Sequence, residues 1–237
     1  MFITIKWRSF VGAAAAFTAV CVLLTILGTI RTYRPVVTGT AAAVPGRVLI
    51  VDPGHGGLDG GAVGKNGTIE SGINLDIGLK LRDLALLCGE NVIMTRETEN
   101  IDYPDPDASI GSKKKSEQKQ RVALINSIPN ATLISIHQNS FKAASSHGAQ
   151  VFFRDTQESR TLAETLQSFL NNQLVPNSRR VAAPISDDIY LMRSIDCTAV
   201  LVECGFLSNP DECKLLNSES YRTKLALVLL SAWLGYN

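Results

Sequence analysis

Short apolar runs alternate with longer helix-like segments along most of the chain, and this alternation limits the fold more than any other feature. The first run, Val48 to Val51, is typical of a buried strand and stops at Asp-Pro-Gly-His-Gly-Gly, which must turn. Further strands are predicted at 91–95, 132–136, 149–153, 189–192 and 199–202, helices at 70–88, 117–128, 157–174 and 219–234, and a long loop at 98–116. This order predicts an α/β fold, in which a single domain has a twisted, mostly parallel sheet flanked by helices on both faces.

The first 44 residues differ from the rest of the chain. Ser9 to Ile30 carry no charge and are mostly apolar, and at 1.5 Å per residue such a run can cross a bilayer core of roughly 30 Å. Its length favours a retained membrane anchor over a cleaved signal peptide, although the alanines at 41–43 leave cleavage open. We therefore expect a membrane segment and linker at 1–44 and a folded domain at 45–237. The basic residues on the two sides of the apolar run nearly balance, so they do not decide its orientation in the membrane. The N-terminal amine adds a positive charge on the N-terminal side, which favours an N-terminus inside the cell and therefore an extracytoplasmic domain.

Charge and cysteine content exclude several classes of protein. The chain has 23 Lys and Arg and 22 Asp and Glu, and the first 44 residues hold four of the basic residues and none of the acidic ones. The domain is therefore weakly acidic, which argues against a nucleic-acid binder that works by charge. The five cysteines form no Cys-x-x-Cys pair, which excludes a zinc knuckle and a thioredoxin-like motif and leaves the disulfide state open.

Two of the three histidines follow predicted strands. His55 comes after the first strand, and His137 comes after the strand at 132–136. The carboxyl ends of parallel strands meet at one edge of a sheet, where ligands bind. On position alone, two unrelated histidines are an equally good interpretation. His147 lies in a serine-rich loop and is predicted to be solvent-exposed.

Two carboxylates extend the histidine pair to a candidate metal site. Glu203 ends the apolar run at 199–202, where a charged group needs a partner or a metal. Glu70 opens a predicted helix, and taken alone it is a favourable helix-start charge. With His55 and His137, however, Glu70 gives a His₂Glu set, and three such ligands with a water are typical of a hydrolytic zinc site. Glu203 is then placed to act on that water.

Two other chemistries are rejected. The glycine-rich segment at 54–64 is not a phosphate-binding loop, because Lys65 is followed by Asn66 where such a loop requires Ser or Thr. A nucleophilic Cys204 is rejected because neighbouring side chains on a strand point to opposite faces, so Cys204 and Glu203 cannot share a site.

Four segments occur in order at 51–64 (VDPGHGGLDGGAVG), 70–75 (ESGINL), 135–140 (SIHQNS) and 202–212 (VECGFLSNPDE). Together they resemble the motifs of the zinc-dependent N-acetylmuramoyl-L-alanine amidases, over a match that runs from about residue 47 to residue 235. The resemblance implies that His55, Glu70 and His137 bind one zinc ion and that Glu203 is catalytic. A departure is Ser71-Gly72, where many relatives have Lys-Asp after the metal-binding Glu.

A narrower resemblance is to the germination-specific amidases, whose layout of one apolar segment and one catalytic domain this chain shares. Residues 112–126 and 188–192 also look like theirs. The resemblance implies hydrolysis of the amide between N-acetylmuramic acid and L-alanine in peptidoglycan, during muramic lactam formation in the spore cortex and during germination. It also implies an activating lipoprotein as a candidate partner.

Asn139 and Arg193 are candidate substrate-binding residues. Another zinc-dependent peptidoglycan peptidase and a non-catalytic wall-binding module remain as alternatives.

Overall fold

A computed structural model of the chain describes residues 46–175 and 178–236. The membrane segment predicted at 9–30 and the boundary predicted at residue 44 lie outside these ranges. Within them, no helix combines the length and the apolar character that crossing a bilayer requires.

The described residues form one six-stranded sheet and six helices. In chain order the elements are β1 (Val48–Pro53), α1 (Glu70–Leu87), β2 (Asn91–Met94), α2 (Ile110–Asn126), β3 (Ala131–Asn139), β4 (Gln150–Phe153), α3 (Gln157–Gln173), β5 (Ala183–Pro184), α4 (Tyr190–Ser194), β6 (Thr198–Phe206), α5 (Pro210–Leu216) and α6 (Glu219–Gly235). The strand order is β2-β1-β3-β6-β4-β5. Only the β4–β6 pair is antiparallel among the pairs of this sheet, so the predicted, mostly parallel sheet is confirmed.

Both faces of the sheet are buried beneath helices. Alternate residues of β1 enter different cores: Leu49 and Val51 pack with α1, α3 and α6, whereas Ile50 packs with Ile125 of α2 and Met192 of α4. Continuous apolar strands of this kind are typical of parallel sheets covered on both sides. The predicted α/β architecture is therefore confirmed for the described part of the chain.

Two predictions about individual elements are wrong. Residues 189–192 were predicted as a strand, but Ile189 precedes the single-turn helix α4 and residues 190–192 belong to it. The prediction failed because an apolar run of four residues carries no period that separates strand from helix. Helix α2 begins at Ile110, inside the predicted loop at 98–116. Ser109 explains this early start, because its hydroxyl caps the helix by accepting the amide of Ser112 at 3.3 Å.

Two strands run further than predicted, and this changes the position of the candidate residues. β3 continues to Asn139 and β6 continues to Phe206. His137 and Glu203 therefore lie within strands, near their carboxyl ends, and not immediately after or at the end of them.

Candidate metal centre

The loop after β1 presents His55 in an unusual backbone conformation. The amide of Gly54 donates to the carbonyl of Ile136 at 2.9 Å, which keeps the loop beside β3. His55 has a φ of +61°, a left-handed conformation that residues other than glycine seldom adopt. Gly54 is required by close approach, because a Cβ at this position would clash with the imidazole of His137. The loop thus brings the two histidines together, with ring centroids 4.9 Å apart.

Glu70, the first residue of α1, completes a set of three candidate ligands with His55 and His137. One ligand atom from each residue lies within 4.8 Å of the others. Glu70 Oε1 is 3.3 Å from His55 Nε2 and 3.1 Å from His137 Nδ1. Tetrahedral zinc with bonds of about 2.0–2.1 Å separates its ligand atoms by about 3.3 Å. The type and spacing of these donor atoms therefore fit a zinc ion.

Polar neighbours orient the imidazole of His55 and the carboxylate of Glu70. His55 Nδ1 lies 3.1 Å from Asp59 Oδ2, and Lys114 Nζ donates to Asp59 Oδ1 at 2.8 Å. Asn74 Nδ2 donates to Glu70 Oε1 at 3.2 Å. In metal sites, such partners fix the ring orientation and tautomer of the ligands.

The charges of these groups are coupled. Burial alone would lower the pKa of His55, but Glu70 and Asp59 outweigh burial and raise this pKa to about 9. Burial alone would raise the pKa of Glu70, but His137 and His55 outweigh burial and hold this pKa far below its usual range. Glu70 is therefore ionised, as a metal ligand has to be.

Glu203 lies on β6 directly opposite His137 in the β3–β6 ladder. Its Oε2 is buried and has no hydrogen-bond partner among the residues that the structure describes. Burial is the main reason that the pKa of Glu203 is raised to about 7; Glu70 adds to this effect, while His137 and His55 oppose it. A carboxyl group with a pKa near neutrality can both accept and return a proton at working pH.

A cavity of about 390 Å³ gives access to this centre. His55, His137 and Glu203 line it together with residues of α2 and of the segment 188–191. A group bound in the cavity would thus lie beside the two histidines and Glu203.

The two candidate substrate-binding residues, Asn139 and Arg193, are absent from the described lining of this cavity. Asn139 ends β3, and its backbone carbonyl accepts the amide of Leu207 at 2.8 Å. Arg193 is exposed on α4, where it donates to the carbonyl of Asp187 at 3.3 Å and lies 5.5 Å from the ring centroid of Tyr190. A contact of either residue with substrate stays a prediction.

Two other side chains lie apart from the cavity, as the sequence predicted. His147 is exposed. Cys204 is buried in the apolar core on the side of α1, α3 and α6, and burial raises the pKa of its thiol far above the usual range. A thiol in this environment is not a nucleophile.

Sequence reasoning missed several polar residues that support the centre. Asp52 follows the apolar run of β1. A charged residue at the end of an apolar run was the signal that selected Glu203, and it could have selected Asp52 too. Asp59 follows His55 by four residues in the same loop, and Asn74 lies one helical turn after Glu70. The buried arginines of α2 and of the loop after β2 had no comparable signal.

Comparison with known proteins identifies the family. The Amidase_3 family model, described as N-acetylmuramoyl-L-alanine amidase, matches residues 49–232. The chain belongs to the Amidase_3 family. The germination-specific N-acetylmuramoyl-L-alanine amidase of Bacillus subtilis (strain 168) is 36% identical over 192 residues, which cover 81% of this chain and 80% of the relative.

Solved structures of amidases have the same fold. The CwlD amidase from Clostridioides difficile, solved in complex with the GerS lipoprotein, is 36% identical with a TM-score of 0.77, over 81% of this chain and 98% of that one. An N-acetylmuramoyl-L-alanine amidase from Clostridium difficile 630 is 28% identical with a TM-score of 0.69, over 81% of this chain and 97% of that one. The resemblance drawn from the four sequence motifs is thus confirmed, and this Amidase_3 chain is an enzyme of the N-acetylmuramoyl-L-alanine amidase class.

Proposed function

We propose that the domain hydrolyses the amide between N-acetylmuramic acid and L-alanine in peptidoglycan, at a zinc site formed by His55, Glu70 and His137. The observation that carries this proposal is a His₂Glu set with ligand atoms within 4.8 Å, next to the buried, unpartnered carboxyl oxygen of Glu203. A zinc ion held there would supply an activated water and polarise the amide carbonyl.

Glu203 moves the proton in the proposed reaction. As a carboxylate it accepts a proton from the attacking water, whose oxygen forms the new bond to the lactyl carbonyl carbon. As an acid it then returns the proton to the nitrogen of L-alanine as the carbon–nitrogen bond breaks. Burial raises the pKa of Glu203, which makes its carboxylate a stronger acceptor of the water proton. The products are a free lactyl carboxylate and a stem peptide with a free α-amine.

The setting that we propose is spore cortex peptidoglycan outside the cytoplasm. The relative from Bacillus subtilis is named as germination-specific, and the CwlD amidase was solved with a lipoprotein. These names support a role in cortex maturation and germination, and they support an activating lipoprotein as a partner of this chain. The uncharged run at 9–30 supports a membrane anchor or export signal at 1–44, with the catalytic domain from residue 45.

The experiment that tests this proposal compares Glu203→Gln with the wild type, using the full chain purified in a mild detergent. Zinc content and peptidoglycan digestion are measured on one preparation of each protein. We expect about one zinc per chain in both proteins, and a rate reduced by about 10²–10⁴-fold in Glu203→Gln because proton transfer is lost. The matched control is Glu164→Gln, an exposed residue of α3, which should keep the wild-type rate.

Three outcomes would contradict the proposal. A wild-type rate in Glu203→Gln would remove Glu203 from the reaction. Cleavage within the stem peptide, with no free α-amine on L-alanine, would identify a peptidase instead. Wild-type protein without zinc would overturn the metal site.

A further inference from the structure

Arg96, in the loop after β2, is a buried charged residue that the proposed reaction does not use. Its side chain is 5% exposed, and each of its five N–H groups has an acceptor. The acceptors are the carbonyls of Pro53 (from Nε, 2.9 Å), Gly54 (from Nη2, 3.0 Å), Ser71 (from Nη2, 2.8 Å) and Thr98 (from Nη1, 3.1 Å), and the carboxylate of Glu99 (from Nη1, 3.2 Å).

A single nitrogen of Arg96 joins the two segments that carry the first two candidate ligands. Gly54 immediately precedes His55, and Ser71 immediately follows Glu70. Because Nη2 donates to both carbonyls, the loop after β1 cannot move away from the start of α1 without breaking a buried hydrogen bond. Leaving such a group unpaired costs about 1–3 kcal/mol.

Glu99 adds a second connection between the same two segments. Its Oε2 accepts the hydroxyl of Ser71 at 3.0 Å, and its backbone carbonyl accepts the amide of Gly57 at 2.8 Å.

The loop after β1 also needs an external support. His55 holds a left-handed φ of +61°, a strained conformation that persists only where the surroundings enforce it. The Arg96 side chain fits closely against this loop, since a Cβ at Gly56 would lie 2.9 Å from Arg96 Nε. Arg96 is therefore part of the surroundings that fix the backbone on both sides of His55.

We propose that Arg96, assisted by Glu99, is a positioning residue that sets the distance between His55 and Glu70 and thereby the affinity of the site for its metal. The inference rests on the proposed function, which supplies the metal. A lysine keeps the charge of Arg96 but has three donors on a flexible stem, so it cannot reproduce the planar arrangement that bridges Gly54 and Ser71.

The test measures metal binding by the full chain in detergent. Arg96→Lys is compared with Arg82→Lys, a matched control whose guanidinium pairs only with Asp83 and Glu97 among the described carboxylates. Zinc affinity is measured by competition with a chromogenic chelator, and the geometry of the site by the visible absorption of the cobalt(II) form. We expect Arg96→Lys to bind zinc about tenfold more weakly or worse, with an altered cobalt spectrum, and Arg82→Lys to match the wild type.

A second pair of variants decides the question if Arg96→Lys fails to fold. Glu99 is 46% exposed, so Glu99→Ala should fold normally, and Glu97→Ala is its matched control on the same loop. We expect Glu99→Ala to lose about threefold in zinc affinity, a smaller effect because Arg96 stays in place. Circular dichroism of the metal-free proteins separates a change in the site from a loss of fold.

The outcomes separate this inference from the proposed function. Wild-type zinc affinity and a wild-type cobalt spectrum in folded Arg96→Lys would overturn the positioning role. If Arg96→Lys does not fold, unchanged zinc affinity in Glu99→Ala would overturn it. Weakened zinc binding in the variants, beside a wild type that binds zinc but makes no amidase product, would support the positioning role and overturn the proposed function alone.

Discussion

Asp52 and Arg121 form a buried ion pair beside the cavity. Asp52 Oδ1 lies 2.8 Å from Arg121 Nη1, and the side chains are 1% and 7% exposed. Arg121 also donates to the carbonyl of His55 at 2.6 Å. Burial alone would raise the pKa of Asp52, but Arg121 and the hydroxyls of Ser135 and Thr95 outweigh burial and hold this pKa below its usual range. Asp52 is therefore ionised in the folded protein over the whole neutral range.

We expect Asp52→Asn to lower the free energy of unfolding by about 3 kcal/mol at pH 7, because it leaves the buried charge of Arg121 with a weaker set of partners. The pKa of Asp52 is lower in the folded than in the unfolded state. Its stabilising contribution is therefore complete above the unfolded-state pKa of about 4 and is lost as the pH falls through the folded-state pKa. The stability difference between wild type and variant should shrink on acidification. Urea unfolding at pH 7 and at pH 2 measures both quantities.

Asp83→Asn is the control for this prediction. Asp83 is 62% exposed and pairs with Arg82 on the surface, so its replacement should change stability by less than about 0.5 kcal/mol at either pH. A stability difference between Asp52→Asn and wild type that is absent at pH 7, or that grows on acidification, would contradict the account of the ion pair.

At the scale of elements, helix α5 connects two strands of the sheet. Asn209 caps the helix, and its side-chain oxygen accepts the amides of Asp211 at 3.0 Å and Glu212 at 3.2 Å. The carboxylate of Glu212 accepts the amide of Gly148, which leads into β4, at 2.7 Å and the amide of Phe206, which ends β6, at 2.8 Å. The cap thus holds a helix that in turn fixes the only antiparallel pair among the described strands.

Removing this cap tests the importance of α5. We expect Asn209→Ala to reduce the free energy of unfolding by about 1 kcal/mol, because two helix amides lose their acceptor. Asn172→Ala, at an exposed position of α3, is the control and should change stability by less than about 0.5 kcal/mol. Chemical denaturation of the three proteins measures the difference. Equal stability of Asn209→Ala and wild type would show that the cap is dispensable.

Most strands and the long helices could be predicted from the sequence, whereas the two short helices α4 and α5 could not. The strand predicted at 48–51 and the helices predicted at 70–88 and 219–234 correspond to β1, α1 and α6. Glu203 was expected to end its strand, since a charged side chain seldom enters a sheet. It faces the cavity, however, and β6 continues to Phe206. Helix α5 was missed although Asn209-Pro210 is a helix-start signal.

The candidate ligands could be predicted for a related reason. The ligands His55 and His137 lie near strand ends, as does Glu203, and strand ends of a parallel sheet converge, so their proximity follows from the fold class. Arg96 and Arg121 act on backbone carbonyls of the His55 loop. Every residue has a carbonyl, so the sequence gives no sign of which one an arginine will reach.

At the scale of the whole molecule, the candidate ligands come from three separate segments. His55 follows β1, Glu70 begins α1 and His137 lies in β3, so the set exists only when β1 and β3 have paired. An ion held by all three residues would bind the folded chain and have no comparable site in the unfolded chain. Its binding free energy would then add to the stability of the fold.

We therefore expect a chelator to lower the melting temperature of the zinc-loaded protein. Zinc at about a hundred times its dissociation constant stabilises the folded state by about 2.7 kcal/mol, which corresponds to a shift of about 5 °C or more for a domain of this size. Differential scanning calorimetry with and without chelator measures the shift. Glu70→Gln lacks one ligand, so its melting temperature should hardly respond to the chelator. An equal response of the two proteins would place the metal elsewhere.

His137 and Glu203 are register partners on adjacent strands, so the distance between their backbones is the interstrand spacing of about 4.8 Å. The walls of the cavity come instead from α2 and from the segment 188–191, which stand outside this ladder. Changes in those walls can alter the shape of the cavity without moving Glu203 relative to His137. If the reaction takes place at these two residues as we propose, substitutions in the walls can change substrate specificity while the register of β3 and β6 keeps the reacting groups in place.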